Sequence, residues 1–340
     1  MLENILTLSD EGKLSTIGGW KAIMFFNRKK KKEDCGKEQN KKTEQVFQQD
    51  LQQEMDPAVR PGGVFIVQLL MKEKCEMPSE ERMQEVLSRH LGRIEQFGNR
   101  DKLKDQTALF VAWDHIGHFQ DADMPVQLMI AGCEQFQPEK IDDFKRSQMW
   151  DYLEDRERIL SECRYQVLAS DMMGGSLPTQ ERANMLMDYL EALVELFPWC
   201  EAVYNLNSGK LVQADVIRQG EISGLDRFIR YAVNARFFNV QGTDDSMVDT
   251  LGLSLLYIED LQYHFHDMDP NWVVTHAYNM ASYLLNNDNP IKDGDTIDGI
   301  REGRFEKDIQ WRCQRENALI QPSRMVIDVC MGEYASGRRD

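Results

Sequence analysis

From Gly63 onward, short apolar runs alternate with stretches of helical period. "GVFIVQLLM" (63–71) is a bounded apolar run of strand length and predicts a strand. Pro78 and Ser79 then open a helix whose Met83, Val86, Leu87 and Leu91 fall on one face before Gly92 ends it. "TALFVAW" (107–113), "VQLMIA" (126–131) and "CRYQVLAS" (163–170) predict three more strands. The clearest helical pattern starts at Thr179, read as a capping residue, and runs through Leu186, Leu190, Leu193 and Phe197 to Pro198.

"EAVYNL" (201–206) follows as a strand, with Ser208-Gly209 as a turn, so "NSGK" (207–210) reads as a hairpin. A short helix spans Leu225 to Ala232. Strands are expected at "RFFNV" (236–240), "LGLSLLYI" (251–258) and "LQYHFH" (261–266). Asp269 and Pro270 cap a helix that reaches Leu285, and "IQWRC" (309–313) and "RMVIDVCM" (324–331) close the chain as strands.

Mixed helices and strands without a regular βαβ period predict an α+β protein with largely antiparallel sheets and helices packed on one face. The order β-α-β-β recurs loosely in both halves and points to two ferredoxin-like halves. A chain of 340 residues exceeds one typical core. We divide it into a basic and polar tail (1–60), an N-terminal α+β domain (61–222), a C-terminal α+β domain (223–335) and a short tail (336–340).

Charge narrows the choice of partner. Residues 1–60 hold 11 Lys and Arg against 10 Asp and Glu, which leaves 29 against 47 for the remainder. Phosphate backbones repel such an acidic body, so nucleic acid is not an expected ligand. Seven cysteines, odd in number and without a C-x-x-C pair, read as reduced thiols of a cytoplasmic protein. No apolar run approaches the roughly 20 residues of a membrane span.

The tail has its own features. "NRKKKKEDCGKEQNKKTEQVFQQDLQQEMD" is nearly free of apolar residues and reads as a linker. Just before it, "WKAIMFF" with Arg28 to Lys32 (residues 20–32) makes an apolar wedge and a basic cluster that could rest weakly on an anionic membrane surface. The basic run follows the apolar stretch, the reverse of a secretory signal. Met24 is an alternative start to Met1.

Two groups of residues suggest chemistry. "DGDTIDG" fails as a calcium loop, because Ile297 takes the fifth position, Asp298 the glycine position and Arg304 that of the bidentate glutamate; Asp-Gly favours a tight turn instead. His115 and His118 lie in "DHIGHFQDAD", and His264 and His266 in "YHFHDMD". Imidazoles beside carboxylates suit zinc or another divalent metal. Against this, the first pair sits in what reads as a loop, and strand alternation turns Gln262, His264 and His266 to water. His90 and His276 read as structural helix residues, and Tyr278, Met280, Tyr283 and Leu284 as a core stripe. The carboxylates Glu154, Asp155, Glu157 and Glu162 read as a solvated helix face.

"PWCEAVYNLNSGKL" (198–211) and "NMASYLLNNDNPIKDGDTIDG" (279–299) resemble the bacterial domain of unknown function 4261, with an extent of about Gly63 to Met331. Its N-x-A-x-Y-L helix and I-K-D-G-D-T-I-like turn are met by Asn279, Ala281, Tyr283, Leu284, Lys292, Asp293, Gly294, Asp295 and Thr296. The resemblance implies Asn279, Tyr283, Lys292, Asp293, Asp295 and Thr296 as a binding edge or a structural turn, and carries no established activity. The function expected is a non-catalytic protein-interaction or accessory, immunity-like role without cofactor. The alternative is a divalent-metal hydrolase with His115, His118, His264 and His266 as ligands and Asp114 or Asp267 orienting an imidazole or activating water.

Overall fold

The computed structural model describes residues 60–97 and 107–337. The tail up to residue 59, with its membrane-surface stretch and alternative start, lies outside the described residues.

Eight strands form the first sheet: β1 (Ile66–Met71), β2 (Ile94–Phe97), β3 (Ala108–His118), β4 (Asp123–Ile130), β5 (Glu134–Gln135), β6 (Tyr165–Met172), β7 (Ala202–Asn205) and β8 (Leu211–Gln213). Their order is β2-β3-β4-β6-β1-β7-β8, with β5 beside β6, and all pairings are antiparallel. Helix α1 (Glu80–Leu91) follows β1, and α4 (Thr179–Leu196) lies between β6 and β7 in sequence. The central order β7-β1-β6-β4 is therefore ferredoxin-like, with β2 and β3 added at one edge.

The second sheet contains β9 (Asn234–Asn239), β10 (Ser246–Leu251), β11 (Asp260–Phe265), β12 (Thr296–Arg301), β13 (Arg304–Asn317) and β14 (Met325–Cys330). Its order, β12-β13-β14-β11-β10-β9, differs from that of the first. Two three-stranded meanders joined by α7 (Pro270–Asn286) meet at a parallel pairing of β11 with β14, which makes this sheet mixed. The fold is α+β, as expected.

Local sequence accounts for the main helices. Ser79 caps α1 by accepting from the Arg82 amide at 3.2 Å, and Gly92 ends it at φ 78°. Asp269 caps α7 with Pro270 in its first turn. Pro178 rather than Thr179 precedes α4 as its cap residue; Thr179 is already helical and donates to the Leu256 carbonyl. Buried residues lie on nearly every side of α4, because it packs on α1, α5 (Ala214–Gln219), α6 (Asp226–Ala232) and α7.

One apolar core runs from Phe65 to Met331 through both sheets and these helices. A smaller cluster on the far side of β1 and β7 joins Leu70, Ala202 and Tyr204 to Ile159 and Leu160 of α3 (Leu153–Glu162). Helix α2 (Asp143–Ser147) precedes α3 in the chain.

Two further expectations, both about strands, are corrected. "LGLSLLYI" is not a strand: β10 ends at Leu251 and Leu253–Leu256 form a buried 3-10 turn. Gly252 at φ 127° breaks the extended path, and the Asp260 carboxylate accepts from the Leu253 amide at 3.2 Å. The apolar run marked burial, which strands and tight turns share. His115 and His118 are likewise not in a loop, since β3 continues past an irregularity between Ala112 and Ile116 to His118.

Candidate functional site

Three segments converge at one end of the first sheet: the lead-in to β1 around Gly62 and Gly63, the turn Met173–Ser176 after β6, and the turn Leu253–Tyr257. Arg182 of α4 ties the first and the last of them to Asp171 of β6, just ahead of the second. Its guanidinium donates to the Gly63 carbonyl (2.5 Å), the Leu255 carbonyl and the Asp171 carboxylate (3.3 Å). Asp171 also accepts from the Phe65 amide at 2.7 Å, and the Gly62 amide donates to the Ser254 carbonyl at 3.0 Å. Both charged groups are buried. Burial pushes the Asp171 carboxyl up despite the opposing pull of Arg182 and the Phe65 amide. An arginine inside an apolar helix is costly unless its donors are used, and here its two terminal amino groups bind three separate stretches of chain. A Cβ on Gly175 would collide with the Gly62 carbonyl, and one on Gly174 with Asp171.

Around this junction several large apolar side chains are exposed. Tyr257 is 59% exposed, Met173 44%, Phe119 43% and Val64 43%. The Tyr257 ring lies against Gly62, while the Phe119 ring and the Met173 carbonyl adjoin Gly117, whose partner across the hairpin is Met124, also exposed. Met173 and Tyr257 hold left-handed backbone, at φ 64° and 58°, which costs a residue with a side chain about 1–2 kcal/mol. Bulky residues in that region mark strained sites, and strain of this kind concentrates where a protein binds or switches. Asp121 and the exposed Asp123 rim the patch at the tip of the β3–β4 hairpin.

The four histidines proposed as ligands pair locally. His115 Nδ1 lies 3.4 Å from Glu181, His118 Nδ1 2.8 Å from Asp123, His264 Nε2 3.3 Å from Asp245 and His266 Nδ1 2.9 Å from Asp267. The first two belong to the first sheet and His264 to the second. Asp114 accepts from the Arg93 amide at 2.8 Å. Among the described residues, no group of three or more His, Cys, Asp or Glu could hold a metal ion. The expected solvent exposure of His264 is corrected, since its side chain is only 14% exposed, and so is that of Gln262. Gln262 is fully buried because Leu319, in the β13–β14 loop, donates its amide to the Gln262 side chain at 2.8 Å. Beside it Arg236 and Arg324 meet Asp249, and Arg324 also meets Asp260, in a buried ion network.

Residues 291–296 form a turn whose carboxylates serve the backbone. Asp293 accepts from the Arg315 amide (2.6 Å) and Asp295 from the Lys292 amide (2.9 Å). Gly294, at φ 84°, donates to the Cys313 carbonyl. Thr296 begins β12 and donates to Gln310 at 2.8 Å across the hairpin. Asn279 is buried and donates to the Thr275 carbonyl one turn earlier; Tyr283 is half-buried on the same helix. His276 is fully buried. Its Nε2 donates to the Asp298 carbonyl (3.0 Å), so Nδ1 accepts from the Tyr263 hydroxyl (2.9 Å).

A further buried charge is Lys210, in the β7–β8 hairpin. It donates to Asp151 and to the Tyr278 hydroxyl (2.8 Å). Burial opposes its charge, but Asp151 outweighs that and holds the ammonium above its ordinary range, while the same contact holds Asp151 below its own despite burial. A surface cleft of about 590 Å³ between α1, α4 and α5 is lined by His90, Glu195, Arg218 and Arg227. Its charges are engaged: Glu195 with Arg82, Arg89 and His90, Arg227 with Asp188 and Glu191, and Arg218 with Asp215.

Residues 249–330 match the family described as Domain of unknown function (DUF4261). This stretch is a DUF4261 domain. It runs from within β10 to the last residue of β14 and so includes the 291–296 turn, the buried His276 and Tyr257. The "PWCEAVYNLNSGKL" segment, Met173 and Phe119 lie outside the matched residues. No curated protein and no solved structure matches the chain. Among the described residues, no helix is long and apolar enough to cross a membrane.

Sequence reading missed the junction. Its available signals were Arg182, a lone basic residue in an apolar helical stretch, and "MMGGS" directly after a strand. Tyr257 was hidden in an apolar run.

Proposed function

We propose that this protein acts by non-catalytic protein contact, as an accessory or immunity-like factor, through the surface formed by Phe119, Met173 and Tyr257. The observation that carries the reading is that Met173 and Tyr257 are both bulky, exposed and left-handed at one buried ion-paired junction. Folding alone disfavours each of those properties, whereas an apolar surface on a rigid support is what a partner requires. The acidic body, with 47 Asp and Glu against 29 Lys and Arg beyond residue 60, favours a basic partner and speeds its encounter.

The test is affinity capture from cells with the wild-type chain and with Met173→Asp/Tyr257→Asp. We expect one protein enriched by the wild type and lost from the double variant at unchanged thermal stability. Equal capture by both, or absence of a partner alongside metal-dependent turnover, would overturn the reading.

A further inference from the structure

We propose that the apolar and basic stretch Trp20–Lys32 of this same chain docks on the Phe119/Met173/Tyr257 surface and competes there with the partner. The inference rests on the protein-contact reading above and adds its regulation. Three observations support this occupant.

The first is where the chain enters. Arg60 to Gly63 is the lead-in held by the Ser254 and Arg182 contacts, and the Tyr257 ring lies directly on Gly62. Whatever precedes Arg60 therefore starts at the edge of the patch. Only 27 residues separate Lys32 from Arg60, enough to reach about 90 Å when extended, so length does not prevent contact and tethering raises the local concentration to the millimolar range.

The second is chemical match. "WKAIMFF" offers a tryptophan, two phenylalanines, an isoleucine and a methionine to an apolar surface of Phe119, Met124, Met173 and Tyr257. "RKKKK" offers five positive charges beside Asp121 and Asp123, and residues 20–32 contain no acid. The third is charge at long range: the remainder of the chain beyond residue 60 is strongly acidic, so the basic stretch 20–32 is drawn toward it and not away from it. An added basic partner would meet the same surface, which makes the two exclusive.

The experiment uses the full chain with a photoreactive residue, Tyr257→p-benzoylphenylalanine, irradiated at dilute protein and mapped by mass spectrometry. The exposed Trp199, in the turn between α4 and β7, replaced in the same way, serves as control. We expect intramolecular cross-links from position 257 to residues 20–32, absent from position 199, lost in 1 M salt and lost when Lys29, Lys30, Lys31 and Lys32 are all changed to Glu. Those four changes should also increase capture of the protein partner. Cross-links from position 257 that miss residues 20–32 would overturn the proposal. So would cross-links that join two copies, or co-sedimentation of the chain with anionic phosphatidylglycerol vesicles in place of the intramolecular link. The reading on which it rests fails separately, when capture is insensitive to Met173→Asp/Tyr257→Asp.

Discussion

The guanidinium of Arg182 lies 3.3 Å from the carboxylate of Asp171, and both are shut off from solvent. Removing one member of such a pair leaves the other buried and unpaired, which costs about 3–5 kcal/mol. Arg182→Met should cost that much in urea unfolding and should also loosen the Gly63 and Leu255 segments in hydrogen exchange. Arg182→Met with Asp171→Leu should cost less than Arg182→Met alone. A loss in the double variant equal to the sum of the two single-variant losses would show that the pair is not coupled.

Met173 combines exposure with left-handed backbone, so Met173→Gly should raise folding stability by about 1 kcal/mol. The same change should weaken partner capture, because the side chain belongs to the contact surface. Thermal denaturation beside a capture assay reads both effects. A variant that is less stable, or that captures the partner as well as the wild type, would separate the strain from the function.

Lys210 and Asp151 present a second buried pair. Lys210→Met should cost about 3–5 kcal/mol by stranding the Asp151 carboxylate, and adding Asp151→Asn should recover part of it. A double-mutant cycle by denaturant unfolding measures the coupling.

His276 supplies a pH dependence with a definite sign. Burial lowers its pKa from 6.5 to about 4, against the opposing bond to the Asp298 carbonyl. The unfolded imidazole takes a proton as pH falls through 6.5 while the folded one does not, so the unfolded chain binds more protons and stability decreases as pH is lowered. The contribution is whole above pH 6.5 and is lost by about pH 4, amounting to about 3 kcal/mol. Urea midpoints at pH 7 and pH 4.5 should therefore differ less in His276→Gln than in the wild type.

Much of the fold was legible. The period of Met83, Val86, Leu87 and Leu91 gave α1 its buried face, and the Asp269-Pro270 and Ser79 caps fixed two helix starts within a residue. These signals are local, because the capping atoms and the helical repeat lie within a few residues of each other. The histidine pairs were correctly noted beside acids, but which acids they meet was not legible. His115 reaches Glu181 and His264 reaches Asp245, partners that only tertiary packing brings near.

By itself the sequence determined the α+β class, the main helices and the tight turn at Asp293-Gly294, since each follows from residue geometry over short range. Only the tertiary structure decided which polar residues are buried and which apolar ones remain outside. Gln262 sits where alternation assigns it to water, yet a distant loop covers it; Tyr257 sits in an apolar run, yet the described residues leave it 59% exposed. Burial depends on what the rest of the chain lays over a residue, and a local pattern holds no record of that.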